Sequence, residues 1–344
     1  MSDALAAPPR EQGWGRIVIA LVAFLLLSHA PVVRAAAPVV DTLVLLVPAL
    51  AACFIAGWRK GGSSALALAW AALAGLLLAI PSRPGSEAYT DLVRSWGVLV
   101  AGALGLVCIL GWRRQFFGRA LAAVGIAALI AAIGMAFAPH SAARIENVFA
   151  QELQLRNSMV LAQWAKELPG ASFSPAVQDW AGTRAGQLQE VWGSFALSLY
   201  PALLALESLA ACALAWGLYH RMSRARLGAA LAPFRCFRFN DELIWALVAG
   251  MTIAVLPRLD SLRVFGANLV LFFGALYALR GFGVMAWFYP QLKLGAQLAA
   301  SFAAVVLFPA SLALAVGLGV TDTWIDWRRR VRTASSPAGP GATS

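Results

Sequence analysis

Charge is scarce in this chain. Asp, Glu, Lys and Arg together make up 12% of its 344 residues, about half the share of a soluble globular protein. With 60% apolar residues and a mean hydropathy of +0.73, such a surface must face lipid rather than water. Histidine and cysteine are scarcer still, at three and four residues. His29, His140 and His220 stand at span ends or in different loops. Cys53, Cys108, Cys212 and Cys236 are far apart, with no CxxC or Cys/His spacing, which argues against a metal site or a disulfide framework. HExxH, Walker A and GxSxG patterns are missing as well. No catalytic set is visible, and the chain reads as a non-enzyme without a cofactor. A net charge of +11 is carried by no long soluble basic stretch, so a nucleic-acid partner is not indicated.

What is there is a series of apolar runs, each near the ~20 residues that cross a bilayer as a helix. The expected fold is all-α, a polytopic transmembrane helical bundle of about eight or nine spans. Five runs precede residue 139: Ile17–Val33, Leu43–Trp58, Ser63–Ile80, Trp96–Trp112 and Ala120–Pro139. The first, followed by Ala35-Ala36-Ala37, could pass for a signal peptide cleaved within residues 1–37, but Pro31 and Arg34 are awkward there and another span follows at once. Residues 140–192 form the one sizeable polar region. In it Ile145, Val148, Phe149, Leu153, Val160, Trp164 and Leu168 recur at three- and four-residue steps, predicting an amphipathic helix. Pro169-Gly170 breaks it, and Ser174-Pro175 opens a second helix that runs into the next span, so the region is read as a helical hairpin. Four further runs follow: Gly193–Leu218, Leu243–Pro257, Phe265–Tyr289 and Ala296–Val320. The chain thus divides into an N-terminal membrane bundle (1–139), the hairpin (140–192), a C-terminal membrane bundle with a basic foot (193–333) and a disordered tail (334–344).

Basic residues at 59–60, 113–119 and 221–238 fall on one side if every run between them crosses. The positive-inside rule makes that side cytoplasmic, with the N-terminus inside and the hairpin extracytoplasmic, in a bacterial inner membrane. Three more crossings would put Arg328–Arg332 outside, against the same rule. The expected remedy is that Arg280 splits its run, leaving Gly281–Lys293 interfacial or re-entrant and the C-terminus cytoplasmic.

Glu207 is the leading functional candidate, a carboxylate near the middle of an otherwise apolar span. Tyr200 lies two helical turns earlier on nearly the same face, and Pro201 removes a backbone donor beside it. Arg280 is the second candidate, with Tyr277 and Gly281 on its face. It either snorkels to the interface or pairs with Glu207 inside the membrane. Asn268 is read first as an interhelical hydrogen-bonding group and second as a ligand contact. Asp322 and Asp326 read as a solvated face pairing with Arg328–Arg330.

The runs Pro233-Phe-Arg-Cys-Phe-Arg-Phe-Asn-Asp-Glu-Leu-Ile-Trp245, Asn268-Leu-Val, Leu276-Tyr-Ala-Leu-Arg-Gly-Phe-Gly283 and Gly319-Val-Thr-Asp-Thr-Trp-Ile-Asp-Trp-Arg328 resemble the YybS-like family of bacterial multi-pass membrane proteins. The resemblance covers roughly residues 193–330. It departs at Asn240, where a proline is usual, and at Arg280, where a glutamine is common. At fold level it implies a distant similarity to the substrate-binding subunits of energy-coupling-factor transporters: a bundle that holds a small ligand and docks on a separate energising protein. Two functions stay open on the sequence. One is a small-molecule binding or uptake subunit without its own ATPase, with a pocket beside Glu207 and Arg280 and a lid at 140–192. The other is a structural or assembly protein that recruits partners through the hairpin and the basic loops. The lipid bilayer is the environment of both.

Overall fold

The computed structural model describes residues 39–111, 115–138, 140–167 and 175–328, together with Trp14, Gly15, Val18 and Val22. Among these residues every regular element is helical. The helices are α1 (Val39–Trp58), α2 (Ser64–Ala79), α3 (Glu87–Leu110), α4 (Phe116–Phe137), α5 (Ser141–Glu167), α6 (Pro175–Met222), α7 (Ile244–Val255), α8 (Arg263–Phe288), α9 (Leu294–Val306) and α10 (Phe308–Ile325). Among the described residues, six segments are long and apolar enough to cross a membrane: Asp41–Trp58, Glu87–Leu110, Phe116–Phe137, Ser198–Met222, Pro257–Gln291 and Phe308–Ile325. Helix α2 and the start of α9 are apolar but shorter. Most of the expected first run and of residues 1–37, the expected break at Pro169-Gly170 with Ser174, and the tail past 328 lie outside the described residues.

The chain gathers into two compact units, one made of residues up to Tyr200 plus Leu204–Leu231, the other of Pro201–Leu203 plus everything from Ala232 onward. In the first unit α1, α3 and α6 run side by side in the same direction. A Cβ on Gly97 would stand 2.8 Å from the Val44 carbonyl oxygen, and one on Gly105 would touch Ala52, so the α1–α3 register holds over two turns. Thr42 reaches Glu207, and Gly57 lies against the Tyr219 ring, which sets α6 along α1. The basic segments then meet at one end: Arg119 Nη1 donates to the Leu227 carbonyl at 2.6 Å, and Gly62 lies beside Ala225. Helix α5 lies at the other end, where Ile145, Val148 and Phe149 pack on Val44, Tyr89 and Val93. Over residues 145–149 the amphipathic stripe therefore has its apolar side on the bundle. Pro175 opens α6 as its first residue, and α6 continues without a break for 48 residues, through Pro201 and past Glu207.

In the second unit α7 and α8 form an antiparallel hairpin, with Gly250 against Gly266 and Asp241 beside Arg280. Two expectations are corrected here. Arg280 does not interrupt its run, because α8 is continuous from Arg263 to Phe288 and Arg280 is buried within it. The run Ala296–Val320 is two helices, broken at Leu307 (φ −103°, ψ 40°). Pro309 is the second residue of α10, where its missing N–H costs no helical hydrogen bond, so the proline starts a helix instead of kinking one. Helix α9 leads away from the Tyr289–Gln291 turn and α10 returns. Trp327, just past α10, therefore lines the same cavity as Phe288 and Tyr289. Arg328 donates to the carbonyls of Arg235 and Phe237, which brings the start of the foot beside the 235–237 stretch of the basic loop.

Helices α8 and α10 approach as closely as backbones allow. A Cβ on Gly281 would overlap the Ala315 carbonyl oxygen, and one on Gly319 would overlap that of Tyr277. Small residues at a crossing permit this in lipid, where packing rather than hydrophobic burial drives association.

Candidate functional site

The five residues singled out in the sequence fall into two polar clusters, one per unit. Glu207 and Tyr200 belong to the first, at the end of the unit that α5 covers. Glu207 Oε1 accepts the Thr42 hydroxyl at 2.8 Å. One residue earlier in α1, Asp41 Oδ2 accepts the Tyr89 hydroxyl at 2.6 Å, and the Tyr89 and Tyr200 hydroxyls stand 3.4 Å apart. From α5, Arg156 Nη2 reaches the same Asp41 oxygen at 3.0 Å, and its Nε holds Glu152 Oε1 at 2.8 Å. Glu152 Oε2 in turn accepts Ser86 Oγ at 2.6 Å. The Arg156 guanidinium lies 4.7 Å above the Tyr89 ring, and Phe149 packs on Tyr200 with ring centroids 3.6 Å apart.

Burial works against the charge on Arg156, but Tyr89 and Asp41 more than offset it, so its pKa is raised and it stays a cation. Two carboxylates then flank one guanidinium, with Glu207 a third carboxylate on the neighbouring helix. Carboxylates, phenols and a ring face are brought together by helices that enter from the same side, beneath a helix that covers them. Such an arrangement can bind a polar or cationic group, or exchange protons within a hydrogen-bonded chain.

Asp41, Tyr89, Glu152 and Arg156 are absent from the expectations drawn from sequence. Asp41 and Tyr89 stand at the edges of apolar runs and read as boundary residues. Glu152 and Arg156 stand four residues apart in the polar region, a spacing equally common for a pair on a solvated helix face. A signal was present, since both fall three and seven residues after Phe149, on the apolar side of the helix.

Arg280, Tyr277 and Asn268 belong to the second unit. Arg280 does not snorkel and its partner is not Glu207; both carboxylates it binds come from its own unit. Its Nε bonds Asp322 Oδ2 at 3.0 Å, its Nη2 the Asp322 carbonyl at 3.0 Å, and its Nη1 Asp241 Oδ1 at 2.5 Å. Arg328 Nη2 shares the same Asp322 oxygen at 3.1 Å, and Arg238 pairs with Asp326. Asp322 is therefore no solvated foot residue: at 1% exposure it is among the most buried carboxylates described, held between two guanidiniums. The physical reason is geometric. Asp322 stands one turn past the tight α8–α10 crossing, directly within reach of Arg280, and a buried arginine takes the nearest carboxylate.

Tyr277 is fully buried, with its ring against Phe239 at 5.0 Å, and Phe239 also lies under the Arg280 guanidinium at 5.5 Å. Asn268 is an interhelical hydrogen-bonding group, accepting the Ala202 amide at 2.9 Å and donating to the Val264 carbonyl at 2.8 Å. Among the described residues no group of three or more His, Cys, Asp or Glu side chains could hold a metal ion.

A family model described as "Predicted membrane protein (DUF2232)" matches residues 18–323, most of the chain. That match agrees with the resemblance to an uncharacterised multi-pass membrane family and extends it well upstream of residue 193. No curated protein and no solved structure gives a significant match.

Proposed function

Since the chain belongs to the DUF2232 family of predicted membrane proteins, we propose that this multi-pass membrane protein is a non-enzymatic subunit that binds or takes up a small molecule. Its site is the α5-covered end of the first unit. The observation that carries this reading is the convergence of Asp41, Tyr89, Tyr200 and Glu207 from three membrane-spanning helices beneath Arg156. Ionisable groups inside a span are costly and are kept where they meet a ligand, an ion path or one another. Energy for transport would come from a partner protein or an ion gradient. The basic end of the unit is assigned to the cytoplasm of a bacterial inner membrane and the α5 end to the outside, following the excess of Arg and Lys.

A second reading, a structural or assembly protein, is favoured by a different observation. Glu207, Arg280 and Asn268 each already have a partner within the chain. One experiment separates the two. The protein is purified gently, and the molecules that travel with it are identified by native mass spectrometry, for wild type and for Glu207→Gln. The binding reading expects a small molecule on wild type that is lost from a folded Glu207→Gln protein. Retention of that molecule by the variant moves the site elsewhere. A co-purifying protein with no small molecule supports assembly.

A further inference from the structure

The second unit carries a cavity of about 270 Å³ between α8, the turn after it, α9 and α10. Val284, Met285 and Phe288 of α8 form one wall, Leu292 and Ala300 another, and Leu318 of α10 the third. The wall on the α9 side is held in place by polar bonds between α9 and the turn before it. Gln297 Nε2 donates to the carbonyls of Tyr289 and Leu292 at 3.2 and 3.1 Å, and the Tyr289 and Ser301 hydroxyls meet at 2.9 Å. A space lined by apolar side chains gives water no partners, and left empty it forfeits the dispersion contacts of every wall. In a bilayer the group at hand to fill it is an acyl chain.

The rim of the same cavity carries positive charge. Lys293, exposed, directly follows the lining residue Leu292 and caps α9 with no side-chain bond to the free amides. The first turn of α9 holds no acidic residue, so its unpaired N–H groups and the helix dipole favour an anion there. On the other side, Trp327 lines the cavity. Trp327 and Tyr289, which both line the cavity, are residue types that mark a membrane–water interface. An apolar slot with an exposed lysine and an open helix N-terminus at its edge is complementary to one class of molecule.

We propose that this cavity is a binding site for an anionic phospholipid, with one acyl chain lying against Val284, Phe288 and Leu318 and the phosphate at Lys293 and the start of α9. The site is built on α8, α9 and α10 alone and is independent of the cluster around Glu207.

The test uses the full chain in a mild non-ionic detergent and reads the thermal unfolding midpoint. The additions are phosphatidylglycerol, phosphatidylcholine with the same acyl chains, and inorganic phosphate alone. Phosphatidylglycerol at saturation should raise the midpoint by about 3 °C or more. Phosphatidylcholine should raise it less, and inorganic phosphate should leave it unchanged. Lys293→Glu, an exposed change that should not alter the midpoint without lipid, should erase the difference between the two lipids. Ala300→Phe, which fills the cavity, should abolish both shifts. Equal shifts for the two lipids in the wild type, an undiminished phosphatidylglycerol preference in Lys293→Glu, or a phosphate effect as large as that of the lipid would each overturn the proposal. If Ala300→Phe does not fold, the Lys293→Glu comparison alone decides.

Discussion

Asp322 is the residue on which the second unit depends most. It is the shared counter-ion of Arg280 and Arg328, both nearly fully buried, and burial already pushes the Arg328 pKa down. Removing its charge leaves two guanidiniums facing each other with one remaining carboxylate, Asp241, which is half-exposed. Asp322→Asn should therefore cost about 3–5 kcal/mol of stability. Arg280→Gln should cost clearly less, because Arg328 still neutralises Asp322. The double variant should be less damaged than the sum of the singles, by about 0.5–3 kcal/mol, in a double-mutant cycle of denaturant or thermal unfolding.

Glycine gives a second contrast at this scale. Gly281→Ala drives a methyl group into the Ala315 carbonyl and should destabilise by about 1–3 kcal/mol. Gly274→Ala, in the same helix and facing open space, should be neutral or stabilising by up to about 1 kcal/mol. Arg280 and Glu207 were legible as odd charges in apolar runs. Their partners were not, because Thr42 is an unremarkable residue 165 positions away from Glu207, and Asp322 has enough polar neighbours to pass for surface.

At the scale of elements, α5 is attached to its unit by few but specific contacts: an apolar face of Ile145, Val148 and Phe149, and the bonds of Arg156 and Glu152 to Asp41 and Ser86. Arg156→Ala leaves Asp41 with only the Tyr89 hydroxyl among these bonds and removes the cation from the Tyr89 face. Amide hydrogen exchange across residues 141–158 should then accelerate, at least tenfold for a loss of about 1.4 kcal/mol or more, while α1 and α3 keep their protection. Equal acceleration in α1 would show that the contact holds the bundle rather than the cover.

Helix existence was legible throughout, because long apolar runs have one solution in lipid. The α9–α10 break was not, since a proline inside 25 apolar residues fits a kink and a new helix start equally well. What decides between them is Leu307, whose backbone leaves the helical region, and no side-chain pattern announces that.

For the whole molecule, orientation can be read with residues already in place. Cys236, in the basic loop, is the one exposed cysteine of the four; Cys53, Cys108 and Cys212 are buried in membrane helices. A membrane-impermeant thiol reagent should leave the protein unlabelled in intact spheroplasts and label it once the membrane is opened, and Cys236→Ser should remove that label. A cysteine placed at exposed Ser158 of α5 should show the reverse pattern. Labelling of Cys236 from outside would invert the assignment of both ends. The short helices have a further consequence, which concerns synthesis rather than the finished protein. Helix α7 has 12 residues and α9 has 13, about 18–20 Å of helix against a hydrocarbon core of about 30 Å. Neither can enter the bilayer on its own merit as it leaves the ribosome. Each must wait at the translocon for the longer helix that follows it, α8 or α10, and enter as a pair. The C-terminal third of this protein is thus expected to be inserted in two steps rather than four, and truncation after Val255 or Val306 should strand the last helix outside the membrane.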